Sequence, residues 1–356
     1  MGRKLMMKRV DIVKYEDFCR NVCMQYGFSE NVARETARLL VKTDRFGIFS
    51  HGTYGLRKYL KKVPAGGMSP DTVPEIVHDG KGFAVIDGRN GMPMYIAEQS
   101  VLVAMEKAAE TGCAYVGVRN SGHCGACGVY AVEAAEKGFF AIFASVSSNC
   151  MSIPGGKGKS IGNSPFAYAF PNSHGDPVFM DIAMSQVAGT KIRMAREAGK
   201  PIPLGWIVDN DGNPTTDYFS PYSFLPMGGH KGYCLSFMVE GLAAILSGGA
   251  ILSAQKLWSV PEAVPAFSHF CIVIDVDKII GLDTFSTRLE SAGKELHESP
   301  KASGNDKIWL PGEMEWQHFK QSEKVLDLPD DVFAEVEKLA KETCKDLKSC
   351  LINDVF

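Results

Sequence analysis

Apolar side chains recur at helical spacing through the first fifth of the chain. They then give way to short apolar runs separated by glycine and proline. Residues 15–27 place Phe18, Val22 and Tyr26 on one face of a helix. Ser29 is a suitable N-cap for a second helix, with Ala33, Ala37, Leu40 and Val41 as its stripe. That helix delivers Asp44 and the turn Ser50-His51-Gly52, and a further helix is expected from there to Gly66-Gly67. Past Pro70 and Pro74 the pattern predicts a strand pair at 76–77 and 83–87, then a long helix over 93–111 stopped by Gly112. A strand at 114–118, a glycine-rich turn, a helix at 130–137 and a strand at 139–146 give a βαβ rhythm. Strands near 166–170 and 178–181, a helix near 187–196 and a strand at 206–208 continue it. The apolar run at 232–246 reads as a buried helix, 270–274 as a strand, and 329–347 as an amphipathic closing helix. No internal repeat or low-complexity segment interrupts this order.

The 356 residues allow two domains or one large α/β unit. The texture divides them into a helical part, 1–72 joined by 315–356 through the closing helix, and an α/β part, 73–314. A net charge of -3 with scattered Lys and Arg lacks the footprint of a nucleic-acid binder. Ten cysteines in a chain this long are expected to be reduced thiols of a cytoplasmic protein. The basic start, Met1 to Arg9, has no apolar stretch after it, so no secretory leader is expected, and Met6 stands where myristoylation prefers Ser or Thr. The most apolar window, 234–252, holds Glu240 and several Ser and Gly, which argues against a membrane span.

Histidine can give and take a proton near neutral pH, so His51 beside Ser50 is a candidate acid/base, although Ser50 could equally cap the next helix. His123 lies in a glycine-rich turn after a strand, where α/β proteins place ligands. The glycines at 122, 125 and 128 have the wrong spacing for a dinucleotide fingerprint, and the first glycine of a P-loop ending at Gly158-Lys159-Ser160 would fall on Ile153. His123-Cys124-x-x-Cys127 has no second ligand pair, so no metal is expected. Asp181 ends a strand and could orient a histidine or cap the following helix. Lys231, at a glycine-rich helix entry, is either an anion seat or part of a flexible turn.

The order of these segments resembles the type-2 malate/L-lactate dehydrogenase family over about residues 13–325. The resemblance rests on Gly47-x-x-Ser50-His51-Gly52 with Tyr59 and Gly66, Arg119-Asn120-Ser121-Gly122-His123-x-Gly125, Gly162-Asn163-Ser164-Pro165 and Asp181-Ile182-Ala183-Met184-Ser185. It continues through Asp211-Gly212-x-Pro214-Thr215-Thr216-Asp217, Leu225-Pro226-x-Gly228-Gly229-His230-Lys231-Gly232-Tyr233 and Leu310-Pro311-Gly312-Glu313. It implies an α/β fold that binds NAD or NADP, NAD before NADP, on a non-Rossmann mixed sheet. It also implies a homodimer with its active site near the subunit interface. By the resemblance, His51 is the proton donor with Ser50 and Asp181 as relay, while His123 matches the acid/base of the ureidoglycolate branch. Ser148, Asp181, Ile182, Ala183 and Lys231 match cofactor-contacting positions, and Gly312 and Glu313 lie near the cofactor.

The chain departs from its relatives at Gly55, where an arginine is common, and at Asn163, Ser164, Met184 and Cys124. The expected chemistry is hydride transfer between a nicotinamide and C2 of a small 2-oxo or 2-hydroxy acid, with Arg57 or a partner-subunit group holding the carboxylate. A cyclic-imine reductase on the same scaffold and a non-catalytic small-molecule binder are the rival expectations, and a metal-dependent hydrolase is a more distant one.

Overall fold

Asp11 starts the first helix, its carboxylate accepting the Lys14 amide at 3.0 Å, and Ser29 caps the second by accepting the Val32 amide. The computed structural model describes residues 7–352. Most of the basic start read above, residues 1–6, lies outside them. Strand β1 (Met7–Asp11) leads into helices α1 (Ile12–Gln25) and α2 (Glu30–Arg45). After the Ser-His-Gly turn and a 3-10 turn at Thr53–Gly55 comes the short helix α3 (Leu56–Lys61). It ends before Gly66 because Pro64 has no amide to offer the carbonyl of Leu60. The chain continues as β2 (Glu75–Gly80), β3 (Phe83–Asp87), α4 (Pro93–Thr111), β4 (Cys113–Ser121), α5 (Gly128–Ala135), β5 (Phe139–Ser145), β6 (Phe166–Phe170) and β7 (Val178–Ile182). Next are α6 (Gly189–Glu197), the two-residue strands β8 (Ile207–Val208), β9 (Pro214–Thr215) and β10 (Ser223–Phe224), and α7 (His230–Val239), which runs on into a π-helical stretch, Glu240–Ile245. Strand β11 (Phe267–Asp275), helices α8 (Val276–Ile280), α9 (Leu282–His297) and α10 (Glu313–Gln321), strand β12 (Val325–Pro329) and helix α11 (Asp330–Thr343) follow.

The main sheet has seven strands in the order β2-β3-β4-β11-β5-β6-β7. Only β3 and β4 pair in parallel; every other neighbouring pair is antiparallel. The predicted βαβ unit is present in a modified form. β4 and β5 point the same way, but β11 is inserted between them, with Cys271 opposite Val116 on one side and Phe143 on the other. β11 is covered on both faces. Cys271 and Val273 join the core under α4 and α5, while Phe267 and Phe270 join Val239, Ala243 and Ala244 on the opposite face. A strand covered on both faces is mostly apolar, and the buried exceptions here include His269, which lies between Ser145 and Ser121 at hydrogen-bond distance.

β1 pairs with β12, Val10 lying opposite Leu326, and α11 packs on α1 and α3, so the helices from the two ends of the chain lie together. The helix expected to be buried at 232–246 is not. Phe237 is 54% and Leu246 59% exposed, because the sheet covers only the opposite side of the helix. Among the described residues, no helix is long and apolar enough to cross a membrane.

The Ser-His-Gly turn is tied to the helical body by a buried chain of hydrogen bonds. Tyr15 donates to the Thr53 hydroxyl at 2.7 Å, which donates to Asp44 Oδ2 at 2.6 Å; the Thr53 amide donates to the same oxygen. The other Asp44 oxygen is buried without a partner. Burial pushes the Asp44 carboxyl up to about 7, against the two Thr53 hydrogen bonds that favour its charged form. A carboxyl raised in the folded state contributes stability below its unfolded value of about 3.9, and that contribution is lost as pH climbs through the folded value. Unfolding free energy measured in urea should therefore fall between about pH 4 and pH 7 by a few kcal/mol and level off above, since each tenfold change in proton affinity is worth about 1.4 kcal/mol. Asp44→Asn, which keeps an acceptor for Thr53 and cannot ionise, should flatten that fall; an unchanged slope would assign it to another group.

Candidate active site

His51 follows the carboxyl end of α2 by six residues, and its Nδ1 lies 2.7 Å from Ser50 Oγ. The next residue must be glycine: a Cβ at Gly52 would lie 1.9 Å from Asp44 Oδ1, so a side chain there would push the turn off α2. His123 enters from the opposite side, on the turn between β4 and α5. The two imidazoles lie 5.7 Å apart, nearly parallel at 24°. A second ring covers His123 from behind: the indole of Trp258 stacks on it at 4.4 Å. Trp258 belongs to the loop before β11, which the buried amine of Lys62 holds by donating to the carbonyls of Val260 and Ala263, each at 2.7 Å.

His123 Nδ1 receives the Tyr59 hydroxyl at 2.6 Å and, at 3.4 Å, the Gly125 amide. An amide can only donate, so Nδ1 is bare and the neutral ring carries its proton on Nε2. Burial also fixes the charge state. It lowers His51 from the ordinary histidine value, and it drives His123 down to about 3, with like charge from His51, Lys58 and His269 adding to the effect. Before substrate arrives, the site holds two neutral imidazoles, one with a defined N–H donor.

Ser50, His51 and His123 are thus brought together. Asp181 is placed differently from a relay partner for His51: its carboxylate accepts the Gly128 amide at 2.7 Å and caps α5, while burial raises it to about 6. The carboxyl beneath the Ser-His-Gly turn is that of Asp44. Arg57 is also committed elsewhere. Its Nε lies 3.0 and 3.2 Å from the two oxygens of Glu342, and Nη1 lies 3.6 Å from Glu335, so it faces α11. Gly55, where relatives commonly have arginine, allows no such replacement in place. A Cβ there would lie 2.8 Å from the Tyr59 ring, the same ring that holds His123. Sequence reasoning gave no role to Asp44, Lys62 or Trp258. No spacing signal marks them, because each reaches the site from a different element. Among the described residues, no group of three His, Cys, Asp or Glu side chains could hold a metal ion.

The expected cofactor segments gather around β7. Ser147, next to Ser148, exchanges hydrogen bonds with Asn163; the Asn163 carbonyl takes the Met184 amide, and the Met184 carbonyl takes the Met227 amide. Gly232, next to Lys231, packs against the carbonyls of Met184 and Met227, and the Phe179 amide donates to the carbonyl of Pro311, next to Gly312. Ser148, Asp181–Ile182–Ala183 and Lys231 therefore gather at the carboxyl end of β7, whereas Gly312 packs on Phe179 near its start and Glu313 pairs with His297 and Lys307. The residues present fit a dinucleotide there. Asn149 leaves its side-chain oxygen buried without a partner in the chain, Gly229 opens α7 onto free space, and Lys231 adds a cation. The turn 122–128 joins the two halves of the site, with Gly125 against the His51 carbonyl and Gly128 under Asp181.

Comparison with known proteins identifies the family. The sequence model of the malate/L-lactate dehydrogenase family matches residues 10–337. A malate dehydrogenase of Pyrococcus horikoshii is 34% identical over 306 residues, 83% of this chain and 84% of that protein. A Delta(1)-pyrroline-2-carboxylate/Delta(1)-piperideine-2-carboxylate reductase of Pseudomonas putida is 32% identical, over 89% of this chain and 92% of its own. The sulfolactate dehydrogenase structure from Methanocaldococcus jannaschii superposes with a TM-score of 0.89 at 27% identity, covering 97% of this chain and 99% of that one. A mixed-sheet fold, an imidazole pair and a family match spanning nearly the whole length converge on one assignment: the chain belongs to the malate/L-lactate dehydrogenase family and is an oxidoreductase.

Proposed function

We propose that this enzyme interconverts a small 2-oxo acid and its 2-hydroxy acid, with His51 as the proton carrier and His123 as a fixed hydrogen-bond donor. The observation that carries the reading is the turn 122–128, which sets the imidazole pair beside the segments around β7. When bound there, a nicotinamide dinucleotide supplies or accepts the hydride. The chain does the rest. His123, held by Tyr59 and Trp258, points its Nε2 proton as a donor to the substrate oxygen. His51, protonated on substrate binding, delivers its proton to the oxygen as negative charge develops there, and Ser50 keeps the ring oriented through Nδ1. Asp181 fixes the turn by capping α5. Arg57 would have to leave Glu342 to reach a carboxylate.

The same reading takes NAD ahead of NADP. It treats 73–314 as a non-Rossmann dinucleotide-binding part and 1–72 with 315–356 as a helical part, in a cytoplasmic protein whose ten cysteines are all free. It also assigns the exposed apolar face of α7 and its π-helical extension, with Phe237, Ile245 and Leu246, to the interface of a homodimer. The imine reductase among the relatives favours a second reading, C=N reduction, which would use the same proton donor.

Oxidation of NADH and NADPH against a panel of 2-oxo acids, with piperideine-2-carboxylate included, tests both readings. Turnover of a 2-oxo acid supports the first; turnover of the imine alone supports the second. His51→Ala should lower kcat at least ~100-fold, the low end for general acid–base catalysis, and near-normal turnover would move the proton to His123. Reductive kcat/KM should fall as pH rises, starting below the ordinary histidine value of 6.5, because burial favours the neutral ring. In sedimentation, the wild type should run at twice the 38.8 kDa chain mass and Phe237→Glu/Leu246→Glu at once that mass. A monomeric wild type would remove the interface assignment.

A further inference from the structure

An acid substrate brings a negative charge to a site whose two imidazoles are neutral, and an unpaired buried carboxylate is costly. The cations around the imidazoles are mostly spent. Arg57 is paired with Glu342 and Glu335. Lys62 gives its protons to two backbone carbonyls. Arg193, on α6, donates to the Tyr54 hydroxyl at 2.6 Å and lies 3.8 and 4.0 Å from Glu197 and Asp331.

Lys58 is different. Its amine is 5.1 Å from the centre of the Tyr54 ring and 5.6 Å from that of Trp258, the ring stacked on His123. Among the described residues, no carboxylate comes within ion-pair distance of it, and Glu335 feels its charge only from farther away. That charge nonetheless reaches the site, being one of the influences that hold His123 neutral. One residue along α3 from Arg57, Lys58 lies toward Tyr54 and Trp258 instead of pairing with Glu342.

We propose that Lys58 is the counter-ion of the substrate carboxylate, parked over the faces of Tyr54 and Trp258 until the acid binds. The inference rests on the 2-oxo acid reading above and names the group that recognises the acid. It has a chemical corollary. An ammonium on a flexible stem is a point charge, not the rigid two-pronged fork of a guanidinium, so it accepts a carboxylate in several orientations. The aromatic faces beside it then offer apolar contact to the carbon chain beyond C2.

The test uses the full-length enzyme, the best 2-oxo acid from the panel and the primary amide of that acid, which keeps the reducible carbonyl and loses the charge. Lys58→Met should raise KM for the acid ~10-fold to ~100-fold, the range for a hydrogen bond to a charged group. It should leave kcat within ~3-fold and barely change KM for the amide, and Lys58→Arg should restore most of the loss. An unchanged KM for the acid overturns the proposal. So does an equal rise for acid and amide, which would mean that Lys58 only props up the two rings. Oxamate, a carboxylate with no reducible carbonyl, gives a readout independent of turnover. Its calorimetric affinity for the protein with NADH present should weaken at least ~10-fold in Lys58→Met, provided both proteins melt at the same temperature. Failure of the reading underneath looks different: the wild type would turn over no 2-oxo acid, and oxamate would bind wild type and Lys58→Met alike.

Discussion

Two imidazoles facing each other across 5.7 Å in a largely buried turn cannot both be charged, and the site is arranged around that constraint. Each ring is held by groups that do not force a proton onto it: a serine hydroxyl for His51, and a tyrosine hydroxyl, a backbone amide and an indole face for His123. The nearby carboxyl groups are turned to structural work. Asp44 supports the turn from below, and Asp181 caps α5. A carboxylate hydrogen-bonded to either imidazole would stabilise the charged ring in the absence of substrate. Leaving it out keeps both rings neutral at rest.

Local structure was legible where a single residue type decides the backbone. Pro93 and Gly112 bound α4 as expected, Ser29 caps α2, and His123 follows a strand. Long-range pairing was not legible. β11 reads as a strand, but nothing in its residues says that it separates β4 from β5, because that choice depends on partners about 150 positions away. The strand pair β1 and β12 was missed for the same reason, and α9 because its packed side is thin, only Ser286 and Gly293 being fully buried. The exposed side of α7 was misread because apolar content does not say how much of a helix's circumference the sheet covers.

The site shows the same division. Ser50, His51 and His123 carry their chemistry in their identity and local turns. Arg57 and Lys58 are neighbours of like charge, and only their angular positions on α3 separate them: a step of about 100° puts one against α11 and the other over Trp258. That angle is set by acidic residues nearly 300 positions later, so spacing near the histidine could not choose between them. Gly55 is the complementary case. Its missing side chain is the space that the Tyr59 ring occupies on its way to His123.

Glu240, buried in the π-helical stretch that follows α7, accepts the Leu252 amide at 2.7 Å and the Gln255 side chain at 3.0 Å, which clamps that stretch to the loop carrying Trp258. The helix with the apolar face and the loop carrying the indole behind His123 are thereby joined through a single buried carboxyl group. Stripping either donor from that buried carboxyl would be costly, so helix and loop keep one fixed spacing, and the indole takes its place from the helix.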